Sequence, residues 1–129
     1  MNPVVIKQNI GEQVEKINLS FSNHLALMFN GILSGNIDAL EGVLKKVTMA
    51  YKFYYIIAMI SAGFLIIISV LHIADADNTL NWNINLNKAG LVILFTIVFL
   101  LNAYRYYRIK VSIENKIYLQ KLLNIIDNE

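Results

Sequence analysis

Residues 53–73 have the sequence FYYIIAMISAGFLIIISVLHI, and this stretch decides the fold. It contains no Asp, Glu, Lys or Arg over its 21 residues. As an α-helix it would extend about 31 Å at roughly 1.5 Å per residue, which matches the roughly 30 Å hydrocarbon core of a bilayer. We therefore predict a first transmembrane helix over residues 53–74.

A second apolar run, AGLVILFTIVFLLNAY, covers residues 89–104. Its helix would extend only about 24 Å, so we expect it to continue into RYYR, with Arg105 and Arg108 reaching back to the interface. The second transmembrane helix is predicted over residues 89–107. The Asn-rich segment 75–88 between the two runs is predicted to be an exposed loop, so the spans form an antiparallel hairpin. The alternative, two buried helices of a soluble protein, leaves too little chain to cover both.

The composition agrees with a membrane protein. Hydrophobic residues make up 57% of the 129 residues, and charged residues only 16%, against about a quarter in soluble domains. The mean hydropathy is +0.52. The chain has no cysteine, which excludes disulfides and thiolate chemistry, and its net charge of +2 is too small to indicate nucleic acid as a partner. The predicted fold class is an all-α membrane protein.

The flanking charges predict the orientation. Six cations flank the outer ends of the two spans, against one, Lys88, in the loop between them: Lys45, Lys46, Lys52, Arg105, Arg108 and Lys110. By the positive-inside rule both termini lie in the cytoplasm and the loop lies outside. We thus predict a multi-pass protein of the inner (plasma) membrane, with an uncleaved signal-anchor. Aromatic and basic side chains are predicted to anchor the cytoplasmic interface, with Trp82 at the other: Tyr51, Tyr54, Tyr55, Tyr104, Arg105, Tyr106, Tyr107 and Arg108.

The segment before the first span, residues 1–52, is predicted to be cytoplasmic and helical. Apolar residues recur there at helical spacing: Ile10, Val14, Ile17, Phe21, Leu25, Met28 and Ile32. This pattern predicts a helix over residues 4–30, a turn over 31–35, and a helix over 36–52 that continues into the span, with Asn36 as its N-cap. Residues 108–129 are predicted to form a third cytoplasmic helix.

These three helices are predicted to pack as a small bundle of coiled-coil type. The alternative that the first helix lies flat in the membrane interface remains open. Leu19, Leu27 and Phe29 fall outside the apolar stripe of the first helix. Such surplus apolar surface favours a homo-oligomer, or a cytoplasmic protein partner, in addition to the lipid bilayer.

Few residues suggest chemistry. His72, Asp75 and Asp77 in SVLHIADAD (69–77) have a spacing that a cation would accept, but the simpler interpretation is the exit of a helix from the membrane. We predict no metal, no cofactor, no catalytic residue and no enzymatic activity. His24 is interpreted as a partly buried structural histidine.

Polar and hydroxyl side chains within the spans form a stripe, for which two interpretations remain open. They allow close helix packing, which is the commoner use, or they line a pore in an oligomer. The residues are Ser61, Ser69, His72, Thr96 and Asn102.

The order of an amphipathic lead-in, a two-span hairpin and the long tail helix YRYYRIKVSIENKIYLQKLLNIIDNE (104–129) resembles the SLATT-type proteins. These are small two-transmembrane effectors of bacterial anti-phage systems. The resemblance covers most of the chain at the level of architecture. It implies an oligomer that compromises the inner membrane when a partner sensor is triggered.

Two functions therefore stay open. The preferred one is a pore-forming, ion-conducting or membrane-permeabilising effector, because the spans are free of charge and carry a polar stripe. The alternative is a non-conducting membrane anchor or scaffold whose cytoplasmic helices dock another protein.

Overall fold

A computed structural model describes residues 2–74 and 86–128, except the side chains of residues 86–88. The described chain has four helices and no strand: α1 Pro3–Ser20, α2 Asn23–Met28, α3 Ile37–Ala74 and α4 Leu86–Asp127. The prediction of an all-helical protein is confirmed. Residues 86–88, predicted as loop, already belong to α4. The rest of the predicted loop, with Asp75, Asp77 and Trp82, lies outside the described residues. The helices form two compact units, a first of Met1–Met49 with Tyr107–Glu129 and a second of Ala50–Tyr106.

The prediction of one unbroken helix over residues 4–30 is wrong. The chain leaves helical geometry at Phe21, whose φ of −81° and ψ of 129° are extended. Serines on both sides stabilise the break: Ser20 Oγ donates to the Ile17 carbonyl at 2.6 Å, and Ser22 Oγ accepts from the Leu25 amide at 3.2 Å. Ser22 is therefore the N-cap of α2. Such local bonds compete with the helical ladder, although the apolar period runs through the break undisturbed.

The break changes which side chains are buried after it. Phe29, which the unbroken helix would leave off its apolar stripe, is buried at 8% exposure. Met28, which the stripe includes, is 50% exposed. Ending α2 at Met28 gives Phe29 its own extended backbone and turns its ring inward. The predicted stripe therefore holds as far as Leu25 and fails at Met28.

The turn before α3 is built by Gly31 and Asn36. Gly31 has φ +99°, a left-handed conformation that glycine adopts without steric cost, and its carbonyl accepts from the Ser34 amide at 3.0 Å. Asn36 Oδ1 accepts from the Asp38 amide at 2.9 Å, so the predicted N-cap is confirmed. α3 then begins at Ile37.

The first unit has an apolar core contributed by all four helices. Its buried apolar residues are Ile10, Val14, Phe21, Leu25, Phe29, Ile32, Leu40, Val43, Val47, Ile109, Ile113 and Ile117. Exposed ion pairs lie around the core: Lys7 with Asp127, and Lys121 with Glu41 at 4.0 Å. Each such exposed pair contributes little, about 0–1 kcal/mol. The core therefore carries the stability of this unit.

The second unit buries much less. Its described buried residues are Ala58, Thr96 and Ala103, whereas its large apolar side chains are exposed. α3 and the part of α4 from Ala89 to Asp127 are each long and apolar enough to cross a membrane. The coarse prediction of two apolar helices of spanning length is confirmed.

Candidate functional site: the seam of small residues and its aromatic end

In the second unit α3 and α4 each turn a row of shielded residues inward, and we name these two rows the seam. Along both helices the steps between its members are four, three, four and three. The seam consists of Tyr54, Ala58, Ser61, Leu65 and Ile68 on α3, and Val92, Thr96, Phe99, Ala103 and Tyr106 on α4. Ala58 is 0% exposed and Ala103 3%. A 3.5-residue period is that of a left-handed coiled coil, and small side chains allow two helix backbones to approach closely.

Hydroxyl groups in the spans are bonded to their own helices. Thr96, 8% exposed, donates from Oγ1 to the Val92 carbonyl at 2.9 Å. Ser69 is exposed and donates from Oγ to the Leu65 carbonyl at 2.8 Å. Neither hydroxyl needs a partner from another helix, so each can tolerate an apolar surrounding.

The residues of the predicted polar stripe differ in how far they are buried. Thr96 is buried in the seam, and Ser61 and Asn102 are half-buried. Ser69 and His72 are exposed. A single chain therefore shields only part of the predicted stripe.

Aromatic rings lie at the end of the seam that holds Tyr54 and Tyr106. The Tyr54 ring lies 5.4 Å from that of Tyr106, nearly parallel at 10°, and 6.1 Å from that of Phe99. Tyr51 stacks on Tyr55 along α3 at 6.0 Å. Each such pair adds about 0.5–1.5 kcal/mol beyond burial. The structure therefore brings Tyr54 and Tyr106, two of the predicted interface anchors, into contact across the helices.

The predicted anchors on α4 other than Tyr106 are exposed. Tyr104 is 60% exposed and Tyr107 46%, and Arg105 and Arg108 are exposed as well. Their side chains are placed on the outside of α4, where a tyrosine or an arginine can reach a polar–apolar boundary.

Lys116 is a buried cation that our sequence analysis missed. It is fully buried, at 0% exposure, and its Nζ donates to the Ile32 carbonyl at 2.8 Å. Burial lowers the pKa of Lys116 from 10.5 to about 8, because desolvation penalises the charged amine. The signal was its spacing: Lys116 follows Ile109 and Ile113 at steps of four and three, which places it on the inward face of α4.

An open groove of about 360 Å³ also lies in the first unit, between α1 and α4. It is lined by Gln13, Lys16, Ile17, Asn115, Tyr118 and Leu119. Nearby on α1, the Oδ1 atom of Asn18 is buried without a hydrogen-bond partner among the described residues. The lining offers an amine, amides and a phenol, but it has no pair of a nucleophile with a base.

The two histidines of the chain lie apart from these features. His24 is exposed on α2, contrary to the predicted partial burial, because the break at Phe21 turns it away from the core. His72 is exposed in the last turn of α3. Within residues 2–74 and 89–128, no three His, Asp or Glu side chains come together as a metal site.

Comparisons with protein-family models, with curated proteins and with solved structures gave no match.

Proposed function

We propose that this protein is a non-conducting membrane anchor, in which two antiparallel spans hold a small helical docking unit at the cytoplasmic face of the inner membrane. One observation carries the proposal: the side chains that the second unit buries, among the described residues, are small, and most of its large apolar side chains are exposed. Of the most apolar stretch of α3 only 6% is buried, and of that of α4 11%. An apolar solvent is the environment that suits such a surface.

The free energy of transferring its exposed apolar side chains out of water favours apolar surroundings for the second unit. Moving one large apolar side chain out of water is worth about 1.5–3 kcal/mol. Exposed members of the second unit include Phe53, Ile56, Ile60, Phe64, Ile66, Ile67, Val70, Ile73, Leu91, Leu94, Phe95 and Leu101. Their sum reaches tens of kcal/mol, which favours transfer of this surface from water into a bilayer.

Contacts within each unit support the antiparallel arrangement. In the first unit Glu41 lies 4.0 Å from Lys121, and in the second unit the rings of Tyr54 and Tyr106 stack. Moving along α3 toward its C-terminus therefore corresponds to moving along α4 toward its N-terminus. The excess of cations near residues 45–52 and 105–110 supports a cytoplasmic location for both termini.

The burial of Thr96 favours the anchor over a pore. An aqueous path needs a polar face that runs along a span and points away from its own partner helix. Thr96 points into the seam instead, and the outward faces of both spans are mainly large and apolar. The first unit then supplies the function, by presenting a cytoplasmic surface to a partner protein.

A permeabilising oligomer is the second candidate, and one observation favours it. Ser69 and His72 are both exposed and lie about one turn apart on α3. Several copies of the chain would bring these side chains around a common axis. This is the effector activity that the resemblance to SLATT-type proteins implies.

The test measures membrane potential with a dye after induced expression, beside extraction of the membranes at alkaline pH. We expect the wild-type chain to stay in the extracted membrane without depolarising the cells. Depolarisation that Ser69→Leu with His72→Leu abolishes, but that the matched change Ile66→Leu with Ile67→Leu leaves intact, would replace the anchor by the permeabilising oligomer. Release of the wild-type chain by alkaline extraction would refute both.

A further inference from the structure

The part of α4 that belongs to the first unit carries a second row of regularly spaced residues. Its buried face holds Ile109, Ile113 and Lys116. Val111 and Asn115 each lie two residues from Ile113, about 200° around the helix, and they begin a row with steps of four, three, four and three. We name this row the outer row: Val111, Asn115, Tyr118, Leu122 and Ile125. Because α4 is one helix, the spacing places the outer row on one face, opposite the core.

Much of the outer row is exposed in the single chain. Tyr118 is 64% exposed, Val111 and Asn115 are exposed, and Leu122 is half-buried. Asn115 and Tyr118 also line the groove of about 360 Å³ whose other wall is α1. A helix laid along the outer row would therefore contact α1 as well as α4 and would fill this groove.

The charges of this face favour a second copy of the chain as the occupant. The outer row contains no Asp, Glu, Lys or Arg, so two copies can meet without like charges opposite each other. The flanking residues Glu114 and Lys121 have partners in their own chain, Lys110 at 3.8 Å and Glu41 at 4.0 Å. Arg108 is the next residue in the pattern, and its charge marks the end of the uncharged row.

Asn115 favours a parallel alignment of the two copies. In the heptad of a coiled coil, Asn115 and Leu122 occupy a positions and Tyr118 occupies a d position. A single Asn at an a position specifies the register and the number of strands, at a cost in stability. In a parallel pair the amide of Asn115 faces the same amide of the second copy, and an amide both donates and accepts. The polar group that association buries is then hydrogen-bonded.

The available area is that of a modest dimer. At about 200 Å² for a whole tyrosine side chain, the exposed part of Tyr118 amounts to roughly 130 Å². The outer row, together with the α1 wall of the groove, would bury roughly 600 Å² per copy and so roughly 1,200 Å² in the pair. Stable interfaces begin near about 1,200 Å². The surface is thus large enough for a dimer.

We propose that two copies of this chain associate through the outer rows of their α4 helices, as a parallel coiled coil in which Asn115 specifies the register. Val111, Tyr118 and Leu122 supply the central contacts, and Ile125 lies at the rim, in the last turn of α4. The interface lies wholly in the first unit. It goes beyond the proposed anchor, which needs only one copy.

Two asparagines of α4 provide a matched test. Asn115→Asp places two carboxylates opposite each other within the pair, whereas Asn124→Asp makes the same change at an exposed residue outside the outer row. Sedimentation equilibrium of the full-length protein in detergent micelles gives the dissociation constant. We expect a wild-type dimer whose dissociation constant rises more than about tenfold in Asn115→Asp and changes little in Asn124→Asp. A monomeric wild type, or a dimer that Asn115→Asp leaves intact, would overturn the interface without affecting the membrane anchor.

Disulfide cross-linking tests the alignment, since the chain has no cysteine of its own. Val111→Cys, Tyr118→Cys and Asn124→Cys are oxidised separately in the same micelles. A disulfide needs Cα atoms within about 7 Å, and a parallel pair brings both Val111 and Tyr118 opposite their own copies. We therefore expect covalent dimers from these two variants and few from Asn124→Cys. Dimers from Tyr118→Cys without dimers from Val111→Cys would overturn the parallel alignment, and equal yields from all three would overturn the outer row as the interface.

Discussion

The same two helices, α3 and α4, bury opposite kinds of side chain in the two units. In the first unit Leu40 and Ile113 are at 0% exposure. In the second unit Ala58 is at 0%, while Phe64 and Ile66 are 58% and 65% exposed. A core of large residues is what burial from water favours. Small residues at the most buried positions, with many large apolar ones outside, are what close packing favours once the surroundings are themselves apolar.

The difference is the one that the proposed function predicts, with one part of each helix facing water and the other facing an apolar solvent. In each unit the inward face of both helices consists of residues at steps of three and four. What changes is the size of the side chains on that face and the polarity of those opposite. Substitutions that enlarge a residue or give it a charge should therefore have different effects on stability in the two units.

The largest effect is expected from shrinking the core of the first unit. Leu40→Ala removes a fully buried side chain and leaves a cavity, at a cost of about 2–5 kcal/mol. Leu33→Ala, at a side chain that is 50% exposed, is the matched control and should cost under about 1 kcal/mol. The measurement is amide hydrogen exchange of α1 in the full-length protein. Equal protection in both variants would contradict a core at Leu40.

An added charge should have different effects on the outer surfaces of the two units. Ile66→Arg places a charge on the outward face of the first span, at about 2.5–3.5 kcal/mol for insertion. Ile125→Arg, at a similarly exposed residue of the first unit, should change stability by under about 0.5 kcal/mol. Membrane fractionation of the two variants measures the difference. Full membrane recovery of both would indicate that Ile66 does not face acyl chains.

The charge-free runs explain why the sequence predicted α3 and α4 well. Length and hydropathy are local properties of the sequence, and no Asp, Glu, Lys or Arg interrupts residues 53–73 or 89–104. The break at Phe21 was missed because Ser20 and Ser22 act through hydroxyl bonds that leave the apolar period intact. Lys116 was missed because a lysine on an inward face needs a buried hydrogen-bond acceptor, and its acceptor, the Ile32 carbonyl, is distant in the chain. How far each residue of the polar stripe is buried depends on which face of each helix meets the other, and composition does not determine that face.

Enlarging a residue should harm the seam and spare the outward face. Ala58→Leu adds methyl groups where no space is left, at a cost of about 1–3 kcal/mol. Ser69→Leu also adds apolar volume to α3, but on an exposed surface, and should cost under about 0.5 kcal/mol. Unfolding of the purified chain in mixed micelles compares the two. A larger loss for Ser69→Leu than for Ala58→Leu would contradict a close helix contact at Ala58.

The smallest effect concerns Lys116, a cation buried in the apolar core of the first unit. The pKa of Lys116 is about 8 in the folded chain and 10.5 as its ordinary value. Between these values the unfolded chain binds more protons than the folded one, so stability should rise with pH. From pH 7 to pH 9 the gain is about 1 kcal/mol.

Lys116→Met keeps the length of the side chain and removes the titration, so its stability should stay flat where that of the wild type rises. Hydrogen exchange of the first unit, corrected for the intrinsic effect of pH, measures both proteins. The rest of the chain is identical in the two proteins, so any other dependence on pH cancels in the difference. A wild type that loses stability relative to Lys116→Met between pH 7 and pH 9 would mean that the charged amine is stabilised inside the core. In that case the bond to the Ile32 carbonyl would outweigh desolvation, and the first unit would depend on its buried charge.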